Sequence, residues 1–140
     1  DRLAAKHGLE KIKTIGDAYM AVGGLPDPMT EHALATTMLA MDMLKELREL
    51  NVTRGLDLSV RIGIHTGPVI AGVIGRQKFS YDVWGDTVNT ASLMESYGVP
   101  DRIQISVKTY ERIRDTFSCE DRRLTDVKAK GDIQTYLVCT

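Results

Sequence analysis

Residues 11–24 read Lys11-Ile12-Lys13-Thr14-Ile15-Gly16-Asp17-Ala18-Tyr19-Met20-Ala21-Val22-Gly23-Gly24. This run predicts two short strands joined by a tight turn at Gly16 and Asp17, because glycine and aspartate tolerate the backbone angles that hairpin turns require. Side chains two residues apart share a face of a strand, so Lys13 is expected in step with Lys11 and with Asp17. The hairpin is therefore expected to present a lysine and a carboxylate together.

The apolar residues of this hairpin are expected to anchor it in a hydrophobic core. They are Ile15 and the run from Tyr19 to Val22. At this stage Asp17 has two interpretations, a turn-forming aspartate after a permissive glycine or a ligand in a site. The rest of the chain has to decide between them.

The length and composition indicate one globular domain. The chain has 140 residues, of which 43% are hydrophobic and 26% charged, and no apolar run reaches the roughly 18 residues that span a bilayer. The 18 basic and 19 acidic residues nearly balance, which argues against binding to nucleic acid or to a membrane by this segment. Cys119 and Cys139 lack metal-ligand spacing and a disulfide framework, which favours reduced cysteines in a cytoplasmic protein.

The first residues of the chain predict the end of a helix. Residues 1–8 are rich in helix formers and finish at Gly8, a common C-cap residue. A chain that starts inside a helix is expected to be a fragment of something longer. Residues 1–140 would then be a single, N-terminally truncated domain, and membrane attachment of the full-length protein stays open.

The middle of the chain predicts a helix followed by a second hairpin. The helix is expected from Glu31 to about Leu50, capped by Thr30, with a buried face formed by Leu34, Met38, Met41, Leu44 and Leu47. The alternating run 58–64 and the apolar run 69–75 predict two strands paired with each other across a turn at 65–68. A polar loop is expected at 76–81.

The last third predicts two more helices and a closing strand. One helix should begin near Asp86 as its N-cap and run to Tyr97. A short strand over 103–105 leads to a helix capped by Ser106 that continues to Phe117. Residues 122–132 are expected to form a basic turn, and residues 133–139 the last strand. Strands and helices in this order predict an α+β fold, a sheet with helices packed on it.

Four ordered motifs then resemble one family, the catalytic domain of class III adenylyl and guanylyl cyclases. They are Lys13-Thr14-Ile15-Gly16-Asp17-Ala18-Tyr19-Met20, His65-Thr66-Gly67-Pro68-Val69-Ile70-Ala71-Gly72-Val73-Ile74-Gly75, Tyr81-Asp82-Val83-Trp84-Gly85-Asp86-Thr87-Val88-Asn89-Thr90-Ala91-Ser92 and Val127-Lys128-Ala129-Lys130-Gly131. The resemblance covers essentially the whole chain. It implies a ferredoxin-like core, seen here without its N-terminal strand and helix. It also implies that the core works as a head-to-tail homodimer of identical chains, with active sites at the interface.

The resemblance also implies the chemistry. Two metal ions, Mg²⁺ or Mn²⁺, would activate the ribose 3′-hydroxyl for attack on the α-phosphate, which gives cyclic nucleotide and pyrophosphate. Asp17 resembles one of the family's two metal-binding aspartates, and a hard cation prefers such carboxylate oxygens. Lys13 and Asp82 resemble the pair that selects the purine. A donor lysine and an acceptor aspartate match N1 and N6 of adenine, whereas guanine reverses both polarities, so the pair favours ATP.

The remaining matches concern the ribose and the phosphates. Asn89 resembles the residue that positions the ribose near the α-phosphate, and Lys128 resembles a lysine that holds the terminal phosphates, with Lys130 as its neighbour. In the family's dimer, Lys13, Asp82, Asn89 and Lys128 come from one chain and the metal-binding aspartates from the other. Neither chain alone should then be active.

Two departures from the family pattern bear on activity. The family places an arginine four residues after Asn89, where it stabilises the transition-state phosphate, and this chain has Leu93 there. Leucine cannot donate a hydrogen bond, so weak turnover is expected. The family's other metal-binding aspartate belongs on a strand upstream of residue 1, so it is absent from this sequence. Ala129 replaces a glycine that is common in the basic turn and is expected only to stiffen it.

The resulting hypothesis is an adenylate cyclase catalytic domain that makes cyclic AMP from ATP, weakened by Leu93 and by truncation. The alternative is a degenerate cyclase homology domain that binds nucleotide or dimerises for regulation without catalysis, which Leu93 favours. Guanylyl cyclase activity is a third interpretation, disfavoured by Lys13 and Asp82.

Overall fold

The computed structural model describes residues 2–25, 27–74, 80–128 and 130–140, with the backbone alone described at 74, 80 and 81. The elements in chain order are α1 (Arg2–Lys6), β1 (Glu10–Ile15), β2 (Ala18–Val22), α2 (His32–Arg54), β3 (Ile62–Ile64), β4 (Ile70–Ile74), β5 (Ser80–Trp84), α3 (Asp86–Ser96), β6 (Ile103–Ser106), α4 (Val107–Ile113), β7 (Cys119–Val127) and β8 (Gly131–Val138). The predicted α+β class is confirmed. Among the described residues, no helix combines the length and the apolar character that crossing a membrane requires.

A four-stranded sheet forms the centre of the fold, in the order β3-β6-β8-β7. β3 runs parallel to β6, and β8 is antiparallel to both β6 and β7. Side chains on the two faces of these strands pack against different helices. Ile64, Ile103 and Ile105 pack with α2 and α4 in the main core, whereas Gly63 and Gln104 meet α3. Helices therefore cover both faces of the sheet.

Two separate hairpins flank this sheet. β1 pairs with β2, and β4 pairs with β5, both antiparallel. The predicted hairpin of the strands at 58–64 and 69–75 is wrong, because β3 takes β6 as its partner and shrinks to three residues. An alternating pattern identifies a strand but leaves its partner open. Residues 80 and 81 of the predicted loop belong to β5, while Gly75, residues 76–79 and Ala129 lie outside the described residues.

The first hairpin has the predicted turn, but its apolar residues are more exposed than predicted. Gly16 adopts a φ of 57°, which glycine tolerates, and the strands meet there as expected. A register shift between Lys11 and Lys13 interrupts the strict alternation on which the predicted facing of Lys13 depended. Ile15 and Tyr19 are 61% and 37% exposed, so they do not anchor a core in this chain.

The helix α2 is longer than predicted and buries smaller residues. It begins at His32 and ends at Arg54, with Gly55 as its C-cap. Its N-terminus has no side-chain cap, so the predicted Thr30 cap is wrong. Of the predicted face only Leu44 is buried; the buried set is Ala33, Thr37, Leu39, Ala40 and Leu44. Alanine and threonine let the helix approach the sheet closely, while Leu39 packs towards α1.

The remaining differences concern element ends. The residue range 122–132 is mostly strand, since β7 runs to Val127 and β8 starts at Gly131. Ser106 does cap α4, accepting a hydrogen bond from the Thr109 N–H, but the helix stops at Ile113. Gly8, with a φ of 75°, ends α1 as predicted.

Substituting Gly63 with alanine is expected to destabilise the fold by about 3 kcal/mol, because a well-packed site that must admit a methyl group typically loses 1–3 kcal/mol. A Cβ on Gly63 would lie 2.6 Å from the Met94 carbonyl carbon and 2.8 Å from the Glu95 Cα, which are backbone atoms of α3. Gly72→Ala is the matched control, because its Cβ would meet only the tip of the Trp84 ring, at 3.3 Å. Thermal melting should place Gly63→Ala roughly 10 °C below Gly72→Ala; equal melting temperatures would contradict this packing.

Candidate active site

The structure brings together Lys13 and Asp82, which are 69 residues apart in the sequence. β1 lies beside β5, and Lys13 Nζ donates to Asp82 Oδ2 at 3.0 Å. Asp82 Oδ1 also accepts from the backbone N–H of Val83 at 2.8 Å. The two side chains are 40% and 19% exposed, so the pair is accessible from solvent at the surface of the two hairpins.

The environment of Asp82 keeps its carboxylate ionised. The hydrogen bond from Lys13 lowers its pKa below 3.8, and the backbone N–H of Val83 lowers the pKa further. An ionised carboxylate only accepts hydrogen bonds, whereas an ammonium group only donates them. The pair therefore offers a ligand one fixed donor and one fixed acceptor 3.0 Å apart.

Replacing Lys13 with methionine is expected to raise the pKa of Asp82, because the largest cause of its depression is removed. A depressed carboxylate pKa stabilises the fold above the unfolded-state pKa, near 3.8, and that contribution is lost as pH falls through the folded pKa. The difference in unfolding free energy between wild type and Lys13→Met should therefore shrink below pH 3.8. Carbon NMR titration of the carboxyl checks the shift, with Lys45→Met on exposed helix surface as control; an unmoved Asp82 midpoint would contradict the pairing.

The helix α3 carries the next two predicted residues. It begins at Asp86, directly after Gly85, whose φ of 124° suits glycine. Gly85 takes the N-cap position that the sequence assigned to Asp86. Asn89 is exposed and Leu93 is half-buried, and a spacing of four puts them on adjacent turns of one face. This face offers an amide at Asn89 and only a hydrocarbon surface at Leu93.

The turn between β7 and β8 lies along α3. The Lys128 backbone N–H donates to the Tyr97 hydroxyl at 3.3 Å, just past the end of the helix. Lys130 Nζ donates to Asp86 Oδ1 at 3.0 Å, at the start of the helix. The Lys128 side chain is exposed. The turn thus places a lysine side chain in solvent beside the helix that carries Asn89.

Asp17 stands apart from these groups. It is exposed in the two-residue turn between β1 and β2, and no hydrogen bond or ion pair among the described residues involves it. No group of three or more His, Cys, Asp or Glu side chains that could hold a metal occurs within those residues either. Asp17 is chemically suited to a hard cation, and this part of the chain supplies one carboxylate rather than a complete ligand set.

Sequence reasoning missed a hydrogen-bonded network under α3. Its members, Gln104, Arg122 and Thr135, come from three neighbouring strands. Gln104 and Arg122 donate to carbonyls at the end of the helix, and Thr135 bonds to Gln104 beneath them. Gln104 and Thr135 are fully buried. A signal did exist, because Gln104 interrupts the apolar sequence of β6 and a buried amide requires partners.

Comparison with known proteins places this arrangement in context. A family model described as the adenylate and guanylate cyclase catalytic domain matches residues 1–140. An adenylate cyclase of Mycobacterium tuberculosis is 46% identical over 136 residues, which cover 97% of this chain and 31% of that relative. The chain therefore spans about a third of the length of the curated relative.

Two solved structures are similar along the whole chain. The guanylate cyclase domain of RhGC from Catenaria anguillulae in complex with GTP has a TM-score of 0.92 at 39% identity, covering 100% of this chain and 77% of that one. The catalytic core of a rhodopsin-guanylyl cyclase with converted specificity, in complex with ATPαS, has a TM-score of 0.91 at 41% identity, covering 100% and 76%. The similar structures thus include one bound to a guanine nucleotide and one bound to an adenine nucleotide.

Proposed function

The chain belongs to the family of class III adenylate and guanylate cyclase catalytic domains, and we propose that it converts ATP to 3′,5′-cyclic AMP and pyrophosphate in a head-to-tail homodimer. The observation that carries the choice of ATP is the contact between Lys13 Nζ and Asp82 Oδ2 at 3.0 Å. The two side chains share one accessible surface, as a purine-reading pair must. Sequence alone could match the two residues but could not show that they meet.

The charge states of this pair suit adenine. Lys13 can donate to the N1 acceptor and Asp82 can accept from the N6 amino group. With guanine, Lys13 would face the N1–H donor and Asp82 the O6 acceptor. Each mispaired buried group costs about 1–3 kcal/mol, so two reversals together correspond to a preference of at least about 30-fold for ATP.

The other predicted residues would act on the ribose and the phosphates. Asn89 would position the ribose through its exposed amide, and the Lys128 ammonium would bind the terminal phosphates. Asp17 of one chain would bind Mg²⁺ or Mn²⁺ at the active site whose Lys13 and Asp82 belong to the other chain. When bound, the two ions would activate the 3′-hydroxyl and stabilise the leaving pyrophosphate.

A second copy of the chain would cover apolar surface on the two hairpins. Ile15, Ile70 and Val73 are 61%, 59% and 64% exposed, and Trp84 is 42% exposed. Ile70 and Trp84 are cross-strand partners, so they form an exposed apolar pair of the kind that a protein interface covers. Because Trp84 lies two residues from Asp82, such an interface would also enclose the purine-reading pair. In such a dimer, the family resemblance implies that Asp17 of one chain would lie at the site of the other.

Leu93 favours the alternative of a degenerate domain. It supplies no donor at the position next to Asn89, so the reaction would lack one electrostatic stabiliser of the transition state. A domain of this kind could still bind ATP through Lys13, Asp82 and Lys128 and serve in regulatory dimerisation. An active cyclase and a degenerate domain would therefore bind ATP at the same site, and only the active cyclase would form cyclic AMP.

Assays of the full-length protein distinguish these functions. Purified protein at high concentration is incubated with Mn²⁺ and ATP, and cyclic AMP is scored separately from equilibrium nucleotide binding. We expect ATP binding together with slow formation of cyclic AMP, proportional to enzyme concentration. Binding without product would support the degenerate domain, and absence of both would refute the proposed site.

A further inference from the structure

A chain of hydrogen bonds connects the central sheet to the last turn of α3. Gln104 Nε2 donates to the Met94 carbonyl at 2.9 Å. Arg122 Nη1 donates to Gln104 Oε1 and to the Tyr97 carbonyl, both at 2.7 Å. The last carbonyls of a helix have no partner within the helix. The sheet supplies those partners and fixes where α3 ends.

The part of this hydrogen-bond network that lies within the sheet is buried, and its polar side-chain atoms all have hydrogen-bond partners. Thr135 Oγ lies 2.7 Å from the Arg122 carbonyl and 3.1 Å from Gln104 Oε1, and both Thr135 and Gln104 are fully buried. Among the described residues, no buried side-chain nitrogen or oxygen lacks a hydrogen-bond partner. A satisfied buried network holds its members in one arrangement. The backbone of Tyr97 is therefore held against the sheet.

The side chain of Tyr97 extends the chain of hydrogen bonds to the turn that carries Lys128. Its hydroxyl accepts from the Lys128 backbone N–H at 3.3 Å. Within the hairpin, the Lys130 backbone N–H donates to the Val127 carbonyl at 3.0 Å, and the strand pairing shifts register between Leu124 and Val127. Two contacts therefore hold the turn to α3 from outside the hairpin: Tyr97 at the end of the helix, through the Lys128 backbone, and Asp86 at its start, through the Lys130 side chain.

We propose that Tyr97 is a positioning residue that fixes Lys128 relative to α3 for binding of a nucleotide polyphosphate. The proposal rests on the proposed function, in which Asn89 binds the ribose and Lys128 the terminal phosphates. The ribose and the last phosphate of one nucleotide are a fixed number of bonds apart. Holding the turn of Lys128 against the helix of Asn89 therefore fixes the distance between the two side chains, so that both can contact the same nucleotide.

The variant Tyr97→Phe removes only the hydroxyl and keeps both the ring and the carbonyl that Arg122 binds. Affinities for ATP, pyrophosphate and adenosine are measured by calorimetry on the full-length protein with Mn²⁺. We expect ATP and pyrophosphate to bind about fivefold more weakly, in line with the loss of one hydrogen bond. Adenosine should bind as in wild type, because it makes no phosphate contact.

Two further variants separate positioning from a general structural role. Tyr110→Phe is the matched control, because its ring stacks on Tyr136 away from the turn, and it should bind all three ligands as wild type does. In a Lys128→Ala background, Tyr97→Phe should cause no additional loss for pyrophosphate, since residues that act through one another are not additive.

The outcomes also separate this proposal from the proposed function. Undiminished pyrophosphate affinity in Tyr97→Phe, equal losses for adenosine and pyrophosphate, or a full additional loss in the Lys128→Ala background would each overturn the role of Tyr97 while leaving the cyclase assignment intact. A wild-type protein that binds neither ATP nor pyrophosphate would overturn the proposed function and, with it, this inference.

Discussion

Replacing Leu93 with arginine is expected to raise the maximal rate of cyclic AMP formation by about 10²–10³-fold, the usual effect of one donor to a transition-state charge. Leu93 is half-buried one turn after Asn89, and a longer arginine can extend its guanidinium beyond the helix surface. The apparent KM for ATP should change little, because an interaction made only in the transition state affects kcat and not ground-state binding.

Steady-state kinetics with Mn²⁺ and ATP on the full-length protein measure this effect. Leu93→Met is the matched control, because it keeps an apolar side chain of similar volume and adds no donor. It should have wild-type kinetics. If Leu93→Arg is no faster than Leu93→Met although both are folded, the missing arginine is not the limiting defect.

Exchanging the donor and acceptor roles of Lys13 and Asp82 is expected to reverse the preference from ATP to GTP. The double variant Lys13→Glu with Asp82→Asn offers an acceptor where guanine has its N1–H and a donor where it has O6. Because two groups change and each is worth about 1–3 kcal/mol, the ratio of kcat/KM for ATP to that for GTP should fall by at least about 10³-fold. Asparagine keeps the shape of aspartate at a site 19% exposed.

The single variants provide the control for this exchange. Lys13→Glu places a second carboxylate beside Asp82 and should lose activity with ATP without gaining much with GTP. Asp82→Asn leaves Lys13 in place and should only weaken the preference. A double variant that still prefers ATP as strongly as wild type would show that Lys13 and Asp82 do not select the purine.

The sequence could select candidate residues for the site, but it could not specify the register of the strand that carries Lys13. The family resemblance selected Lys13 and Asp82, and the structure places their side chains in contact. Strict alternation along β1 was a poor guide, since the register shift at Lys11 changes which residues share a face. A bulge depends on the partner strand, which local sequence does not specify.

Helix packing was predicted incompletely for a related reason. Counting large apolar residues on α2 selected Met38, which is 43% exposed, and passed over Ala33 and Ala40, which are buried. Close approach of a helix to a sheet requires small residues, and their burial depends on tertiary geometry. The pairing of β4 with β5 instead of β3 likewise depends on where β6 lies. Gln104 was the one visible sign of the network that holds α3.

The most direct test of the account is a competition between ATP and GTP. The full-length protein is incubated with equimolar ATP and GTP and with Mn²⁺, and cyclic AMP and cyclic GMP are quantified by mass spectrometry. The contact between Lys13 and Asp82 predicts cyclic AMP in excess by at least about 30-fold, from two mispaired groups in guanine. Cyclic GMP as the main product would contradict the account.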